Sequence, residues 1–301
     1  MHSFLMLTKR NVKLFFKDKG MFFSSLITPI ILLVLYATFL AKVYKDSFVG
    51  SMPEGFTLDK GIINGIVGGQ LLASLLAVSC ITVAFCANLI MVQDKVTGAK
   101  KDLLVSPIES YKVSMAYYVG TLLNTLIICI IALIAGFIYL IATDGWYLSF
   151  SDVILLLVDI FLLTMFGTAL SSIVNTFLTT QGQMSAVGTI VSAGYGFICG
   201  AYMPISNFGI GLQRVLSFLP GTYGTALVKN HTLRGALSEM QNSGVPNEII
   251  EGIKKSIDCT FNFFDNEVTI KAMYLVMIIS VIVLIGVYIL TNFMRKKSKK
   301  I

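Results

Sequence analysis

The stretch that organises this chain is polar and separates two long apolar runs: QDKVTGAKKDLLVSPI, Gln93–Ile108. It carries charges of both signs and a pair of leucines, and its proline prevents a helix from continuing. We expect residues 94–108 to form a short amphipathic element that contacts a soluble partner and passes its movement into the membrane. The candidate contact residues are Asp94, Lys95, Gly98, Lys100, Lys101, Asp102, Leu103, Leu104 and Pro107.

The composition indicates an integral membrane protein. The 301 residues are 55% hydrophobic and 13% charged, and the mean hydropathy is +0.81, whereas a soluble domain is about a quarter charged. The net charge of +7 does not indicate nucleic acid as a partner, because the basic residues stand beside apolar runs. Lipid headgroups and topology account for charge in those places. The five cysteines are scattered, without the spacing of a metal site or a disulfide framework.

Six apolar runs are long enough to cross the bilayer as helices, which takes roughly 20 residues each. They show none of the short alternating pattern of barrel strands. We therefore predict one all-α transmembrane domain over residues 1–301. Its six helices lie near 21–41, 64–92, 114–141, 153–178, 184–203 and 270–293.

The distribution of lysine and arginine predicts the orientation. With the N-terminus inside, the inner segments hold fourteen of the 23 basic residues and only four acidic ones. An excess of positive charge marks the cytoplasmic side, so we expect a multi-pass protein of the cell membrane with both termini in the cytoplasm. The first apolar run exceeds twenty residues, longer than the core of a cleaved signal peptide. We expect it to be retained.

Residues 1–19 are expected to form an amphipathic helix that lies in the inner membrane interface. Lys9, Lys13 and Lys17 fall on one face, and apolar side chains including Phe4 and Leu7 fall opposite. Two interpretations remain open. The segment is either an elbow helix that also contacts a cytosolic partner, or an orientation signal alone.

The polar segment 204–269 before the last run is expected to form a small helical cap on the outer face. Apolar residues at helical spacing follow Pro204, but they end at Pro220, too soon to span the membrane. This part is expected to be re-entrant or to lie on the surface. Pro246 then opens a polar helix with isoleucines on one side.

The fifth run carries a stripe of small residues at every fourth position: Gly188, Ser192, Gly196 and Gly200. Small residues let membrane helices approach closely. The stripe serves ordinary packing within the chain, or it lines a substrate pathway or a subunit contact.

Asp159 lies within the fourth run. A carboxylate inside the membrane is costly unless it is paired or hydrated, which makes it a functional candidate. The alternative is a shallow residue that is solvated by the outer loops or bonded to a neighbouring Thr or Asn.

Catalytic motifs are absent from the sequence. It has no phosphate-binding loop, no His-Glu-x-x-His motif and only two histidines. We expect no catalytic residue, metal site or cofactor in this chain. If ATP is used, a partner chain must bind it together with its magnesium.

Two motifs resemble ABC type-2 permeases, the membrane subunits of ATP-binding-cassette exporters. These proteins carry an acidic–Gly–Leu-Leu–Ser/Thr-Pro-Ile segment after the second helix, which this chain resembles in Asp94-Lys95-x-x-Gly98-x-x-x-Asp102-Leu103-Leu104-Val105-Ser106-Pro107-Ile108. A second match follows the fifth run, in Gly200-x-x-x-Pro204-Ile205-Ser206 and Leu219-Pro220-x-Thr222-Tyr223. With six helices and both ends inside, the resemblance covers essentially the whole chain.

The resemblance implies two permease chains, identical or paralogous, and two ATPase subunits, with a path between the second and fifth helices of each half. This chain departs from the family at Val96, where a second acidic residue is usual, and at Ala99-Lys100-Lys101, where Thr-Leu-Glu is usual. The partly inverted charge suggests a dedicated ATPase with an acidic surface.

The expected function is the permease subunit of an ATP-driven exporter that works by alternating access. Its wholly apolar runs favour an amphiphilic cargo: a drug, an antimicrobial peptide or a lipid. A polysaccharide or teichoic-acid exporter is the first alternative. An intramembrane enzyme or sensor is a remote one, since it would need several ionisable residues that converge at membrane depth.

Overall fold

The computed structural model describes residues 2–42, 45–46, 59–106, 108–264 and 266–298, which are almost entirely helical. Pro107, a predicted contact residue, lies outside the described residues, as do Met1 of the predicted elbow and the side chain of Leu104. The helices are α1 (His2–Lys17), α2 (Lys19–Leu35), α3 (Lys60–Ala87), α4 (Leu89–Val96), α5 (Ala99–Val105), α6 (Ser110–Ala142), α7 (Phe150–Phe177), α8 (Gln181–Ile198), α9 (Ile210–Leu216), α10 (Pro220–Asn242), α11 (Asn247–Ser256) and α12 (Ile270–Ser298).

Five helical segments in the described part are long and apolar enough to cross a membrane, and they coincide with five of the six predicted runs. They are Lys19–Leu40, which adds a π-helical turn to α2, Lys60–Val96, Ser110–Ala142, Phe150–Phe177 and Ile270–Met294. The remaining prediction, 184–203, falls on α8, which has 18 residues and is not among the five. Its first turn is polar, with Gln181 and Gln183 exposed. The count of six spans stays a prediction.

Helix α3 forms the centre of the bundle. Of its most apolar stretch 94% is buried inside the chain, against 22% for α12. Glycines at every fourth position, Gly61, Gly65 and Gly69, permit this burial, because a Cβ on Gly65 would lie 2.7 Å from the ring of Tyr147. In lipid, close approach of backbones is a main source of helix association. The other helices are therefore arranged around α3.

Helix α1 packs along α6. Its buried residues include Leu7 and Phe15, and Phe15 is fully buried, while Lys9 and Lys13 on the other side are exposed. The side chain of Asp18 caps α2 by accepting a hydrogen bond from the backbone N–H of Met21 at 3.1 Å. The chain thus passes at Asp18 from an amphipathic helix into a candidate span, and the elbow itself stays a prediction.

The cap begins where α8 ends, at Gly200, whose φ of +75° is readily adopted only by glycine. A 3₁₀ turn at Ile205–Asn207 and α9 lead to α10, the longest helix of the cap. A two-residue hairpin pairs Asn262–Phe263 with Asn266–Glu267 just before α12.

Helix α10 was not expected from the sequence. It begins beside the middle of α7, since a Cβ on Gly224 would contact Leu163, and it ends beside the α6–α7 connection, where Gly235 meets Tyr147. Polar residues alternate irregularly with apolar ones along its whole length, so no apolar run marks it in the sequence. The cap therefore dips into the bundle.

Candidate transport groove and coupling surface

A cavity of about 1400 Å³ runs along the bundle between α2, α3 and α8. At one end its lining includes Asp18 and Gln93, next to the predicted coupling segment. At the other end it includes Asn207 and Ile257, in the cap. We call this cavity the groove. It extends from one end of the membrane-spanning part to the other.

The walls of the groove are mainly apolar. Asp18 is the sole charged side chain among its described lining residues. Helix α2 contributes apolar side chains that are about half exposed, such as Ile27 and Ile31. Small hydroxyl groups stand among them, including Thr28 of α2 and Ser185 of α8. A mainly apolar wall with scattered hydroxyls and one charged residue at its end suits a largely apolar molecule that carries polar groups.

One buried polar group on this wall has no partner. Gln70 of α3 is 2% exposed, lines the groove, and neither Nε2 nor Oε1 makes a hydrogen bond to the residues that the structure describes. An unsatisfied buried amide costs roughly 1–3 kcal/mol. Such a group requires water or a bound molecule as its partner. Gln70 is therefore the candidate recognition point of the groove, and the sequence pattern did not single it out.

The small-residue stripe divides between two roles. Gly188 and Ser192 line the groove, and a Cβ on Gly188 would meet open space. Gly196 is buried against the ring of Tyr202, and Gly200 packs against Ile205 in its left-handed conformation. The first pair faces the groove, and the second pair folds the chain into the cap.

The predicted coupling segment begins with an ion pair whose carboxylate is buried. Asp94 at the end of α4 is 6% exposed and accepts two hydrogen bonds from the guanidinium of Arg10, at 2.7 and 2.9 Å. The hydroxyl of Tyr117 donates a third at 2.6 Å. The bond to Asp94 raises the pKa of Arg10 above its ordinary value. Asp94 thus joins the segment to α1 and α6.

Lys95, the residue after Asp94, binds to a different helix, α7. The ammonium of Lys95 donates to the backbone carbonyls of Asn175, Thr176 and Leu178 at 2.7, 2.8 and 2.9 Å. These carbonyls belong to the end of α7, where a helix leaves its last C=O groups unpaired and carries partial negative charge. Lys95 therefore ties the segment to α7. The family-like pair Asp94-Lys95 has intramolecular partners on two sides.

The rest of the coupling segment, from Gly98 onward, forms helix α5, on which several side chains are exposed. Gly98 adopts a left-handed φ of +87° and starts α5, on which Lys101 and Asp102 are exposed. The ammonium of Lys100 lies 5.8 Å from the ring centroid of Tyr117. Leu103 packs on an apolar cluster formed by α1, α3, α4 and α6. Val105 is an apolar side chain that was not among the expected contact residues, and it is 87% exposed.

Asp159 lies in a buried cluster with two residues far away in the sequence. It is 2% exposed; its Oδ2 lies 2.5 Å from Nδ1 of His231, and its Oδ1 accepts a hydrogen bond from Tyr274 at 2.6 Å. These partners replace the loop solvation or Thr/Asn bond considered from the sequence. The cluster joins α7, α10 and α12 and does not line the groove. In the described part no three His, Cys, Asp or Glu residues are arranged to hold a metal ion.

A family model described as "ABC-2 type transporter" matches residues 2–230. The match includes α1, the coupling segment, helices α2, α3 and α8 of the groove, and the first half of α10. No curated protein and no solved structure gives a significant match.

Proposed function

The chain belongs to the ABC-2 type transporter family, and from this premise we propose that it is the permease subunit of an ATP-driven exporter of an amphiphilic molecule. A drug, an antimicrobial peptide or a lipid fits this description. The observation that carries the proposal is the groove, whose described lining is mainly apolar and includes a buried amide, Gln70, without a hydrogen-bond partner among the described residues.

The coupling segment supports a mechanism. Closure of ATPase subunits would press on α5 through Lys101, Asp102 and Val105, all of which are exposed. Because Asp94 is bonded to α1 and Lys95 to α7, the push would reach both helices together with α3. Relative movement of α3 and α8 would change the width of the groove. The groove would then open alternately to the two sides of the membrane.

The complex would contain two permease copies or paralogues and two ATPase subunits, which hold the ATP and magnesium. Surrounding lipid would complete the outer walls. The protein would reside in the cell membrane with both termini in the cytoplasm. The chain itself would have no catalytic site.

A polysaccharide or teichoic-acid exporter is the alternative, since sugars are commonly bound against aromatic rings. The aromatic side chains among the described lining residues are Phe197 and Tyr202, both near the cap. Two rings at one end do not supply a continuous sugar path. The intramembrane enzyme or sensor is weakened as well, because the Asp159 cluster is internally paired and lies away from the groove.

The proposal can be tested in proteoliposomes that contain the chain and a co-purified ATPase partner. We expect ATP-dependent movement of a fluorescent phospholipid or an amphiphilic dye. A Gly188→Trp variant should fill the groove and stop this movement, while its ATPase association stays intact. Gly252→Trp, at an open position in the cap, is the matched control. Failure to associate with any ATPase, or ATP-driven movement of sugar polymers alone, would contradict the proposal.

A further inference from the structure

The cap contains a second cavity, of about 490 Å³, bounded by α9, the end of α11 and the hairpin. Its described lining includes the cations Arg214 and Lys255 and the carboxylate Asp258. No residue expected for transport or coupling lines this cavity. We call it the cap pocket.

The carboxylate of Asp258, in the cap pocket, already has hydrogen-bond and ion-pair partners within the chain. Asp258 accepts the backbone N–H groups of Ile205 at 2.6 Å and Ser206 at 3.2 Å. Its Oδ2 also lies 3.4 Å from the ammonium of Lys229, which is fully buried. Lys229 balances the charge of Asp258, so Asp258 does not neutralise the two other cations.

Arg214 and Lys255 have no carboxylate partner among the residues that the structure describes. The guanidinium of Arg214 lies 5.3 Å from the ring centroid of Phe264, a contact that leaves its N–H donors available. The buried hydroxyl oxygen of Thr260 also lines the pocket and has no hydrogen-bond partner in the described part. Two cations and a hydroxyl donor around one pocket fit an anion with several oxygens.

The surroundings of the pocket are apolar and exposed. Ile210, Val215 and Phe218, in and just after α9, are 66%, 61% and 64% exposed. The ring of Phe218 meets those of Phe263 and Phe264, with centroids 5.2 and 5.9 Å apart. The hairpin leads within a few residues into α12, a candidate span, so the pocket lies close to one end of that helix. An anion site beside an exposed apolar surface matches an amphiphile with a negative head.

We propose that the cap pocket binds the phosphate of an anionic phospholipid. Arg214 and Lys255 hold the phosphate oxygens, the hydroxyl of Thr260 donates a hydrogen bond, and the acyl chains lie against the exposed face of α9. The bound lipid anchors the cap to the membrane surface. This site is independent of the groove and of the proposed cargo.

The test uses the full-length protein in mixed micelles with phosphatidylglycerol or phosphatidylcholine, and native mass spectrometry measures the lipid retained. We expect phosphatidylglycerol to be preferred. Each of Arg214→Ala and Lys255→Ala should weaken its binding by about fivefold, as expected for one basic residue near an anionic surface. Thermal unfolding measured alongside verifies that each variant is folded.

Lys254→Ala is the matched control, because this neighbouring lysine already pairs with Glu251 at 2.8 Å. It should keep the full preference. The double variant Arg214→Lys/Lys255→Arg preserves charge and should keep it as well. If both alanine variants retain the wild-type preference, or the charge-preserving variant loses it, the proposal is wrong. If soluble glycerol phosphate binds as tightly as the lipid, the pocket is a site for free phosphate and the lipid assignment falls.

Discussion

The guanidinium of Arg10 on α1 and the carboxylate of Asp94 on α4 form a bidentate ion pair between residues 84 positions apart in the sequence. Both N–H···O distances are short, and the carboxylate is almost fully buried. This pair fixes α1 to the coupling segment.

We first predict that Arg10→Ala destabilises the protein by about 1–3 kcal/mol, since it removes the charged donor from a buried acceptor. Arg10 is itself about a third exposed, which keeps the loss below that of a fully buried pair. Thermal unfolding in detergent measures it. Lys13→Ala, an exposed change on the same helix, is the control and should be nearly neutral. Equal effects at the two positions would show that the pair has no special role.

A second prediction separates charge from apolar contact on α5. Lys101→Glu should weaken ATPase association in a salt-sensitive way, because exposed charges are screened with a Debye length of about 8 Å at physiological ionic strength. Val105→Ala should weaken it at all salt concentrations, since it removes apolar contact. Pull-down of the ATPase at low and high salt distinguishes the two effects. If association survives both changes, the contact surface lies elsewhere, and α1 becomes the next candidate.

The third prediction concerns Gln70. Gln70→Met keeps the shape of the side chain and removes its two unpartnered atoms. We expect the empty protein to gain about 1 kcal/mol in stability, while cargo-stimulated ATPase activity falls. Gln241→Met, an exposed cap position outside the groove lining, should change neither quantity. A variant at Gln70 that transports normally would remove the recognition role.

The fourth prediction concerns the small-residue stripe that runs along α8. Gly196→Leu should misfold or destabilise the chain, because its side chain would occupy the place of Tyr202. Gly188→Leu should fold normally and reduce transport, since that position faces the open groove. Ile198→Leu is the conservative control. Expression, monodispersity and transport together report the outcome, and equal tolerance at Gly188 and Gly196 would contradict the division of the stripe.

The fifth prediction concerns the buried cluster around Asp159. Among the described residues, His231→Leu leaves the carboxylate with Tyr274 as its remaining side-chain partner, and a buried group that loses one hydrogen-bond partner costs about 1–3 kcal/mol. The double variant Asp159→Leu/His231→Leu removes both polar groups and should recover part of that loss. A thermal-stability cycle of the two single variants and the double variant measures the coupling. Strict additivity would mean that the two side chains do not interact.

Elements with a local signal could be predicted from the sequence. Apolar runs of the right length marked five spans, and the basic face of residues 1–19 marked α1. Asp94 and Lys95 were expected to contact a soluble partner, and their partners within the chain, on α1, α6 and α7, were not predicted. Those contacts join residues 23 to 84 positions apart, and no periodicity within one segment encodes them.

The same limit applies to the cap. Helix α10 mixes glycine, polar and apolar residues, because it contacts α3, α7 and α12 on several sides and has no single apolar face. The partners of Asp159 come from α10 and α12, so they could not be named before those helices were placed. The glycines of α3 were a readable signal, since Gly61, Gly65 and Gly69 repeat every four residues.

The near-complete burial of α3 restricts how this protein can change during evolution. A substitution on α3 disturbs several neighbouring helices at once, whereas α8 buries only Met184 and Gly196 and the apolar stretch of α2 is 29% buried. New cargo preferences are therefore most accessible through α2 and α8, whose groove-facing side chains can vary without loss of the fold. Selection for export of a new compound should accumulate changes on those two helices and leave α3 almost untouched.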